Sequence, residues 1–168
     1  MSSPAPLVEV HGANFTFTIA VDVSAAPISS AYFLADVDAG VLDGSSIFRI
    51  VREKIAVIQL GLRETNPAIP PVIAHEPTGT TGLRHLRGTV SLARFAPGAV
   101  YHSVFVCMRD EPSLDEGGAR NPDGQGFAAF GHVVDGFEHL QRIFAAHALG
   151  PEYLQTPIRL ESVRRVVI

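Results

Sequence analysis

Cysteine is nearly absent from this sequence, and the single residue of this type, Cys107, excludes an internal disulfide. Cys107 lies in the apolar run 104–108, which predicts a buried free thiol. A lone cysteine also cannot supply the thiolates of a zinc cluster. A reduced thiol suits a reducing cytosol, although this observation alone leaves the compartment open.

Charge of either sign is spread thinly along the chain. The sequence carries 13 Lys and Arg against 17 Asp and Glu, a net charge of -4, and neither sign forms a block. The basic patch that nucleic-acid binding requires is therefore missing. We expect no nucleic-acid partner.

Long apolar runs are missing as well. No stretch approaches the ~20 apolar residues of a membrane-spanning helix. The first ten residues include Pro4, Pro6 and Glu9, where a signal peptide needs a basic start and a long apolar run. We expect a soluble, cytoplasmic protein with no membrane partner, although a chain from which a leader had been removed would look the same.

Motifs for metal, nucleotide and covalent chemistry are also absent. The seven histidines show no metal-ligand spacing such as His-x-x-x-His. The glycines between Gly117 and Gly126 follow no strand-to-helix phosphate motif, and no serine lies in a nucleophile elbow. We expect neither a metal nor any other cofactor.

Short apolar runs separated by turn residues dominate the 168-residue chain, which is 46% hydrophobic with 12 prolines and 15 glycines. Such runs, when β-branched or aromatic, are typical of strands joined by tight turns. In one of them, Phe15, Phe17 and Ile19 alternate with threonines and so share one face of a half-buried strand. Eight short strands predict a barrel or a sandwich. They are residues 8–10, 15–21, 46–51, 56–59, 89–93, 104–108, 128–133 and 158–167.

Helical periodicity occurs in two segments. The first opens with Pro27, whose missing N–H costs nothing in a first turn, and ends near Gly40. Its apolar stripe is formed by Phe33, Leu34 and Val37.

The second helical segment follows Asp135, the expected N-cap, and stops at Gly150. The apolar side of this segment comprises Phe137, Leu140, Ile143 and Phe144. Since the two helices lie near opposite ends of the chain, a repeating βαβ plan is disfavoured. With no repeat and no linker, residues 1–168 are expected to form one domain, with 1–7 as a loose tail.

Two irregular stretches, 61–87 and 109–126, are rich in Pro, Gly and Asn. Loops of this length in a compact domain tend to carry function. We expect binding residues in or beside them.

Five segments in order match motifs that occur together in one known family. Residues 25–34 (AAPISSAYFL) combine an Ala-Pro with an aromatic-Leu pair, and residues 43–51 (DGSSIFRIV) place an Asp-Gly turn before a strand containing arginine. The others are residues 56–61 (AVIQLG), 82–94 (GLRHLRGTVSLAR) and 127–143 (FAAFGHVVDGFEHLQRI). Together they resemble the cyclophilin family, with its Phe-His-Arg-Val, Phe-Met-x-Gln-Gly-Gly, Arg-Gly-Thr-Val-Ser-Met-Ala and Val-Phe-Gly-Lys-Val-x-x-Gly-Met motifs. The resemblance covers nearly the whole chain, from about residue 8 onward.

This resemblance implies an all-β fold, a cyclophilin-like eight-stranded antiparallel β-barrel closed by two α-helices, in a monomer. It also implies peptidyl-prolyl cis-trans isomerase activity on proline-containing peptides and unfolded protein chains. Arg49 falls on the family's catalytic arginine, and Phe105 on the phenylalanine that floors its proline pocket. The substrate-binding residues implied are Val57, Gln59, Ala93, Arg94, Phe95, Ser103, Phe105, Leu114 and Phe127.

The sequence departs from the family pattern at several pocket positions. They are Ala56, Val57, Leu60, Phe95, Ser103, Val104, Ser113 and Phe127. Compared with the family pattern, two extra residues also lie between Arg49 and Gln59. A reshaped pocket leaves two further hypotheses open: a non-catalytic module that holds a proline-containing partner segment, and a general chaperone that shields apolar segments.

An arginine suits the expected chemistry. Resonance across a peptide bond creates a rotation barrier of about 18–20 kcal/mol, so catalysis must weaken that resonance. A guanidinium aimed at the imide nitrogen can donate a hydrogen bond to the lone pair that localises in the twisted transition state. Because the guanidinium is planar, rigid and always charged, a lysine would be a poor substitute for Arg49.

Overall fold

The computed structural model describes residues 4–63 and 72–167. Its eight strands are β1 (Leu7–Gly12), β2 (Thr16–Val21), β3 (Ser46–Val51), β4 (Val57–Gly61), β5 (Thr89–Arg94), β6 (Val100–Cys107), β7 (Ala129–Asp135) and β8 (Tyr153–Arg165). Each predicted strand is confirmed. β6 and β8 begin earlier than predicted, at Val100 and Tyr153.

All eight strands form one closed antiparallel barrel in the order β1-β2-β7-β5-β6-β4-β3-β8. The pairing of β1 with β8, in which Val8 lies opposite Arg165, closes it. Of the two architectures that the strand pattern allowed, the barrel is therefore the one adopted.

Side chains on alternate positions of β4 and β6 separate into two clusters. Ile58 and Leu60 of β4 and Val106 of β6 belong to the main core that fills the barrel. Val57 and Phe105, the alternating neighbours, lie on the other face of the sheet. There they join a smaller cluster made of Val51, Ile55, Val57, Phe105, Cys107 and Leu114, with Phe127 packed against it. This outer cluster becomes important below because it forms the base of a pocket.

The predicted buried thiol is confirmed in the outer cluster. Cys107 is a free cysteine with no exposed surface. Burial raises the pKa of its thiol, and the nearby carboxylates of Glu111, Asp115 and Asp110 add to the effect.

The described residues form three α-helices, α1 (Pro27–Asp38), α2 (Thr78–Thr81) and α3 (Phe137–Ala146). None of them has the length and apolar character needed to cross a bilayer. The first predicted helix is confirmed as α1, which packs against β7 and β8, with the ring of Phe33 4.9 Å from that of Phe130. The second is confirmed as α3, which packs against β2 and buries Leu140 and Ile143.

The start of α3 differs from the prediction. Asp135 is the last residue of β7, and the N-cap is Gly136, which has a φ of 81°. A Cβ on Gly136 would lie 2.3 Å from the carbonyl oxygen of Thr16. The close approach of the chain to β2 and the left-handed backbone both require glycine here, so an acidic side-chain cap is not used.

The N-terminus of α1 is capped from a distant part of the chain. No side chain of its own N-cap residue, Ala26, satisfies the first-turn N–H groups. Instead the buried carboxylate of Glu76 accepts hydrogen bonds from the backbone N–H of Ile28 at 3.2 Å and of Ser29 at 2.7 Å. A carboxylate at this position also interacts favourably with the helix dipole.

The two irregular stretches contain little regular structure. In the first, α2 forms one turn, and residues 64–71 lie outside the described part of the chain. In the second, Pro112–Leu114 forms a 3-10 turn. Of the expected N-terminal tail, residues 1–3 lie outside the described ranges, while Leu7 already belongs to β1.

Candidate active site

A small pocket with a volume of about 90 Å³ lies over the outer cluster, on the outer face of β3, β4, β5 and β6. The 109–127 segment forms its other wall. The residues that line it are Arg49, Val51, Ile55, Val57, Gln59, Ala93, Arg94, Tyr101, Phe105, Leu114, Arg120 and Phe127.

A β-bulge determines which way Arg49 points. The pairing register of β3 shifts between Ile47 and Arg49. These two residues pair with Leu60 and Gln59, which are adjacent on β4, so that Phe48 is an extra residue in this pairing. Strict alternation would place Arg49 on the same face as Ile47, inside the barrel. Because of the extra residue, Ile47 and Ile50 both face the core, and Arg49 faces the pocket together with Val51.

Cross-strand pairing aligns the central residues of the site in one row. Arg49 of β3 is paired with Gln59 of β4, and Gln59 is paired with Phe105 of β6. Phe105 is paired in turn with Ser91 of β5. Since directly opposed side chains on one face lie close together, the row brings a guanidinium, an amide and an aromatic ring side by side.

The guanidinium of Arg49 is held by two side chains. Its Nε donates to Oε2 of Glu152 at 3.0 Å, and Nη2 lies 2.9 Å from the same oxygen. Its Nη1 donates to Oε1 of Gln59 at 3.3 Å. The ring of Tyr153 lies beneath it, 5.0 Å from Cζ. The second N–H of Nη1 makes no hydrogen bond within the described ranges, which leaves a donor on the pocket side of the group.

Gln59 connects Arg49 to the far side of the pocket. Its buried Nε2 donates to the hydroxyl of Tyr101 at 2.9 Å and to Oγ of Ser103 at 3.0 Å. Ser103 donates in turn to the carbonyl oxygen of Leu60 at 3.1 Å. Both amide protons are engaged, so the amide oxygen of Gln59 is fixed toward Arg49.

Apolar side chains form the floor and one wall of the pocket. Phe105 and Phe127 meet edge to face with ring centroids 5.1 Å apart. Leu114, from the 3-10 turn, is fully buried beside them. An edge-to-face pair of this kind is favourable in addition to the area that it buries, which keeps the floor rigid.

A buried histidine supports the floor from below. The ring of His85 is stacked on that of Phe105 at 5.9 Å. Its Nδ1 donates to Asp115 at 2.7 Å, and its Nε2 accepts from the hydroxyl of Ser91 at 2.9 Å. Burial lowers the pKa of His85, and the carboxylate of Asp115 opposes this shift in part. The imidazole is therefore neutral and acts as a spacer between β5 and the 109–127 segment.

Arg94 fixes the position of Phe127 through contacts with the segment that precedes it. Its guanidinium makes a two-point ion pair with Asp123, with both N–O distances 3.0 Å, and its Nε donates to the carbonyl oxygen of Gly126 at 2.9 Å. The side chain of Arg94 is only 3% exposed and lies 5.0 Å from the ring of Phe127. Hydrogen bonding from Arg94 lowers the pKa of the Asp123 carboxyl, with a further contribution from the N–H of Gln125.

Most of the residues predicted for the site line this pocket. They are Arg49, Val57, Gln59, Ala93, Arg94, Phe105, Leu114 and Phe127. Ser103 and Phe95 do not line it. Ser103 is 3% exposed and holds Gln59 from behind, while Phe95 is 46% exposed and lies against the ring of Tyr101 at 4.8 Å.

Several residues of the site were not predicted from the sequence. They are Val51, Ile55, Tyr101, Arg120, Glu152 and Tyr153. A signal existed for Val51, because it follows Arg49 by two residues on one strand. No local pattern connects Glu152 with Arg49, since the two are 103 residues apart in the chain.

No metal centre is formed by the part of the chain that the structure describes, because no group of three or more His, Cys, Asp or Glu side chains lies close enough to share an ion. The chemistry available to the pocket is that of a positively charged hydrogen-bond donor beside an apolar hollow.

Comparison with known families gives one match over almost the whole chain. A family model described as "Cyclophilin type peptidyl-prolyl cis-trans isomerase/CLD" matches residues 7–165. A curated relative, "Peptidyl-prolyl cis-trans isomerase A" from Dickeya dadantii (strain 3937), is 30% identical over 129 residues, which are 74% of this chain and 64% of the relative. The chain thus spans less than two thirds of the length of that relative.

Solved structures with the same fold include two of a cyclophilin type peptidyl-prolyl cis-trans isomerase from Cryptosporidium parvum. One, determined in the presence of the dipeptide Ala-Pro, superposes with a TM-score of 0.76 at 17% identity, over 96% of this chain and 99% of the other. The second gives a TM-score of 0.78 at 16% identity, over 98% and 99% of the two chains. At these identities the likeness concerns the fold.

Proposed function

This chain belongs to the cyclophilin-type peptidyl-prolyl cis-trans isomerase family, and we propose that it catalyses cis-trans isomerisation of X-Pro bonds in peptides and unfolded protein chains. The observation that carries this proposal is the position of Arg49. It lies beside an apolar pocket, is held by Glu152 and Gln59, and keeps one N–H of Nη1 free of partners among the described residues.

The proposed mechanism starts with the proline ring of the substrate. The ring enters the apolar hollow floored by Phe105 and walled by Leu114 and Phe127. This places the imide bond next to Arg49 at the rim. Binding by burial of apolar surface has no sequence requirement beyond the ring itself, which suits a substrate class as broad as unfolded chains.

Arg49 then acts on the imide nitrogen. As the bond twists, the nitrogen lone pair leaves conjugation with the carbonyl group and becomes a hydrogen-bond acceptor. The unengaged N–H of Arg49 donates to that lone pair. Since the planar ground state offers no such acceptor, the interaction stabilises the transition state selectively and lowers the barrier without a covalent intermediate.

Exchange NMR on an Ala-Pro peptide tests this proposal, because it measures the interconversion of the cis and trans signals directly. The wild-type protein should accelerate exchange, and Arg49→Ala should lower kcat/KM by about 10²-fold or more. Arg49→Lys should lower kcat/KM nearly as much, since an ammonium lacks the rigid fork of a guanidinium. Arg142→Ala, which removes an exposed arginine of α3, is the matched control and should retain the wild-type rate.

Two outcomes would contradict catalysis by this site. Wild-type protein that binds the peptide without accelerating exchange would indicate the non-catalytic module instead. An unchanged rate in Arg49→Ala would remove Arg49 from the mechanism. Thermal melts of each variant separate a loss of chemistry from a loss of folding.

The proposal extends to the setting of the protein. We place a single-domain monomer in the cytoplasm. The buried free thiol of Cys107 suits a reducing compartment. Pairing of every strand with two neighbours from the same chain supports a monomer.

A further inference from the structure

Three arginines line the pocket, and no acidic residue does so within the described part of the chain. This is unexpected in a protein whose overall net charge is -4. A cleft lined by charges of one sign attracts ligands of the opposite sign. The balance of charge at each arginine therefore decides whether the pocket has a preference for charged substrates.

Two of the three arginines are neutralised. Glu152 lies 2.9 Å from Nη2 of Arg49, and Asp123 engages both terminal nitrogens of Arg94 at 3.0 Å. Arg94 is also almost fully buried. In each of these two pairs the carboxylate offsets the positive charge of the guanidinium.

Arg120 differs from the other two. Its backbone is fixed, because its N–H donates to the carbonyl oxygen of Ser113 at 3.1 Å. Its half-buried side chain lines the pocket and makes no hydrogen bond, ion pair or ring contact with any described residue. Among the described residues, the pocket wall thus presents one uncompensated guanidinium, which comes from the 109–127 segment and not from the strands that carry Arg49 and Arg94.

We propose that Arg120 is a specificity-determining residue that selects substrates with a carboxylate side chain next to the proline. This inference rests on the proposed isomerase function. The planar fork of a guanidinium matches a carboxylate and binds it through charge-assisted hydrogen bonds. The apolar floor formed by Phe105 and Phe127 lowers the local dielectric constant and strengthens that interaction relative to one in open solvent.

The test compares peptides that differ only in one side chain beside the proline. Two series, Ala-X-Pro-Phe and Ala-Ala-Pro-X, carry Glu, its neutral isostere Gln, or Lys at X, and kcat/KM for each is measured by exchange NMR. In at least one series the wild-type protein should prefer Glu over Gln by about threefold to tenfold, with Lys lowest. About 1 M NaCl, where the Debye length is about 3 Å, should reduce that ratio.

Variants assign the preference to one residue. Arg120→Gln should bring the Glu-to-Gln ratio close to unity, and Arg120→Glu should favour Lys. Arg142→Gln removes the same charge from an exposed site on α3 and should keep the wild-type ratio. A ratio near unity in both series with the wild-type protein, or a ratio that survives Arg120→Gln, would overturn the assignment while leaving the isomerase function intact.

Failure of the isomerase function has a different signature. If no peptide shows accelerated exchange, that function is overturned, and the same samples report binding through their chemical-shift changes. Preferential binding of the Glu peptide that is lost in Arg120→Gln supports charge selection. Equal binding of the Glu and Gln peptides overturns it.

Discussion

Glu152 and Arg49 form a two-point contact across the rim of the pocket, in which Nε and Nη2 lie 3.0 Å and 2.9 Å from one carboxylate oxygen. This contact holds the guanidinium with Nη1 directed toward Gln59 and the hollow. Both side chains retain some exposure, 25% for Arg49 and 46% for Glu152. The pair therefore orients the guanidinium and contributes little to stability.

Glu152→Ala should lower kcat about tenfold with a small change in KM, because Arg49 loses its orientation while the apolar floor is untouched. Glu152→Gln retains an acceptor for Nε and should recover most of the rate. The free energy of unfolding should change by less than about 1 kcal/mol in both variants. Kinetics on an Ala-Pro peptide and urea unfolding provide the measurements. Equal losses in the two variants would argue against a positioning role.

Gln59→Leu should weaken both activity and stability. The substitution keeps the approximate shape but removes the acceptor for Arg49 and the donor for Tyr101 and Ser103. We expect a loss of about tenfold in kcat/KM and of about 1–2 kcal/mol in unfolding free energy. Gln141→Leu, an exposed glutamine on α3, is the control and should change neither quantity. A fully active Gln59→Leu protein would show that the amide does not orient Arg49.

His85 should make the protein less stable as the pH falls below neutrality. Burial lowers the pKa of folded His85 below that of an exposed histidine, about 6.5, so the unfolded chain binds the proton first. The free energy of unfolding decreases as the pH drops through the pKa of the unfolded chain, about 6.5, and it stops decreasing below the pKa of folded His85. Urea unfolding at about pH 7 and pH 5 measures the difference.

The variant His85→Asn isolates this contribution, since asparagine can still donate to Asp115 but does not titrate. It should show a smaller loss of stability between the two pH values than the wild-type protein does. His132→Asn, which changes an exposed histidine, should keep the wild-type difference. An unchanged pH dependence in His85→Asn would assign the effect to other groups.

Glu76→Ala should destabilise the fold by about 1–3 kcal/mol, because the first-turn N–H groups of Ile28 and Ser29 lose their acceptor inside the protein. Glu76→Gln retains one acceptor oxygen and should cost less. Glu161→Gln, on the exposed side of β8, serves as the control. The urea midpoint of unfolding is measured for each variant. Equal midpoints for Glu76→Ala and the wild-type protein would mean that water satisfies the N–H groups of Ile28 and Ser29 in place of the carboxylate.

The strands and helices could be predicted from the sequence because the information that specifies them is local, whereas the choice of a closed barrel came from the family resemblance. Alternation such as that of Phe15, Phe17 and Ile19 identifies a strand, and the structure buries all three. The stripe of Phe33, Leu34 and Val37 identifies α1 in the same way. Asp135 shows the limit of local rules, since the tertiary approach of β2 required glycine at the next position.

The site could be predicted only in part. Arg49, Gln59 and Phe105 lie on three strands that the sequence identifies, but the row that joins them depends on pairing register. The bulge at Phe48 that turns Arg49 outward depends on the register between β3 and β4, which no local pattern specifies. The contact with Glu152 depends on where β8 begins, which no local pattern specifies.

Closure of the barrel also affects how this protein behaves at high concentration. Each strand is hydrogen-bonded on both sides by strands of its own chain, and the seam between β1 and β8 completes the ring. An open strand edge is the usual template on which a second chain adds and an aggregate grows. Folded molecules therefore resist assembly by strand addition, because a free strand edge arises only when two paired strands of the ring separate.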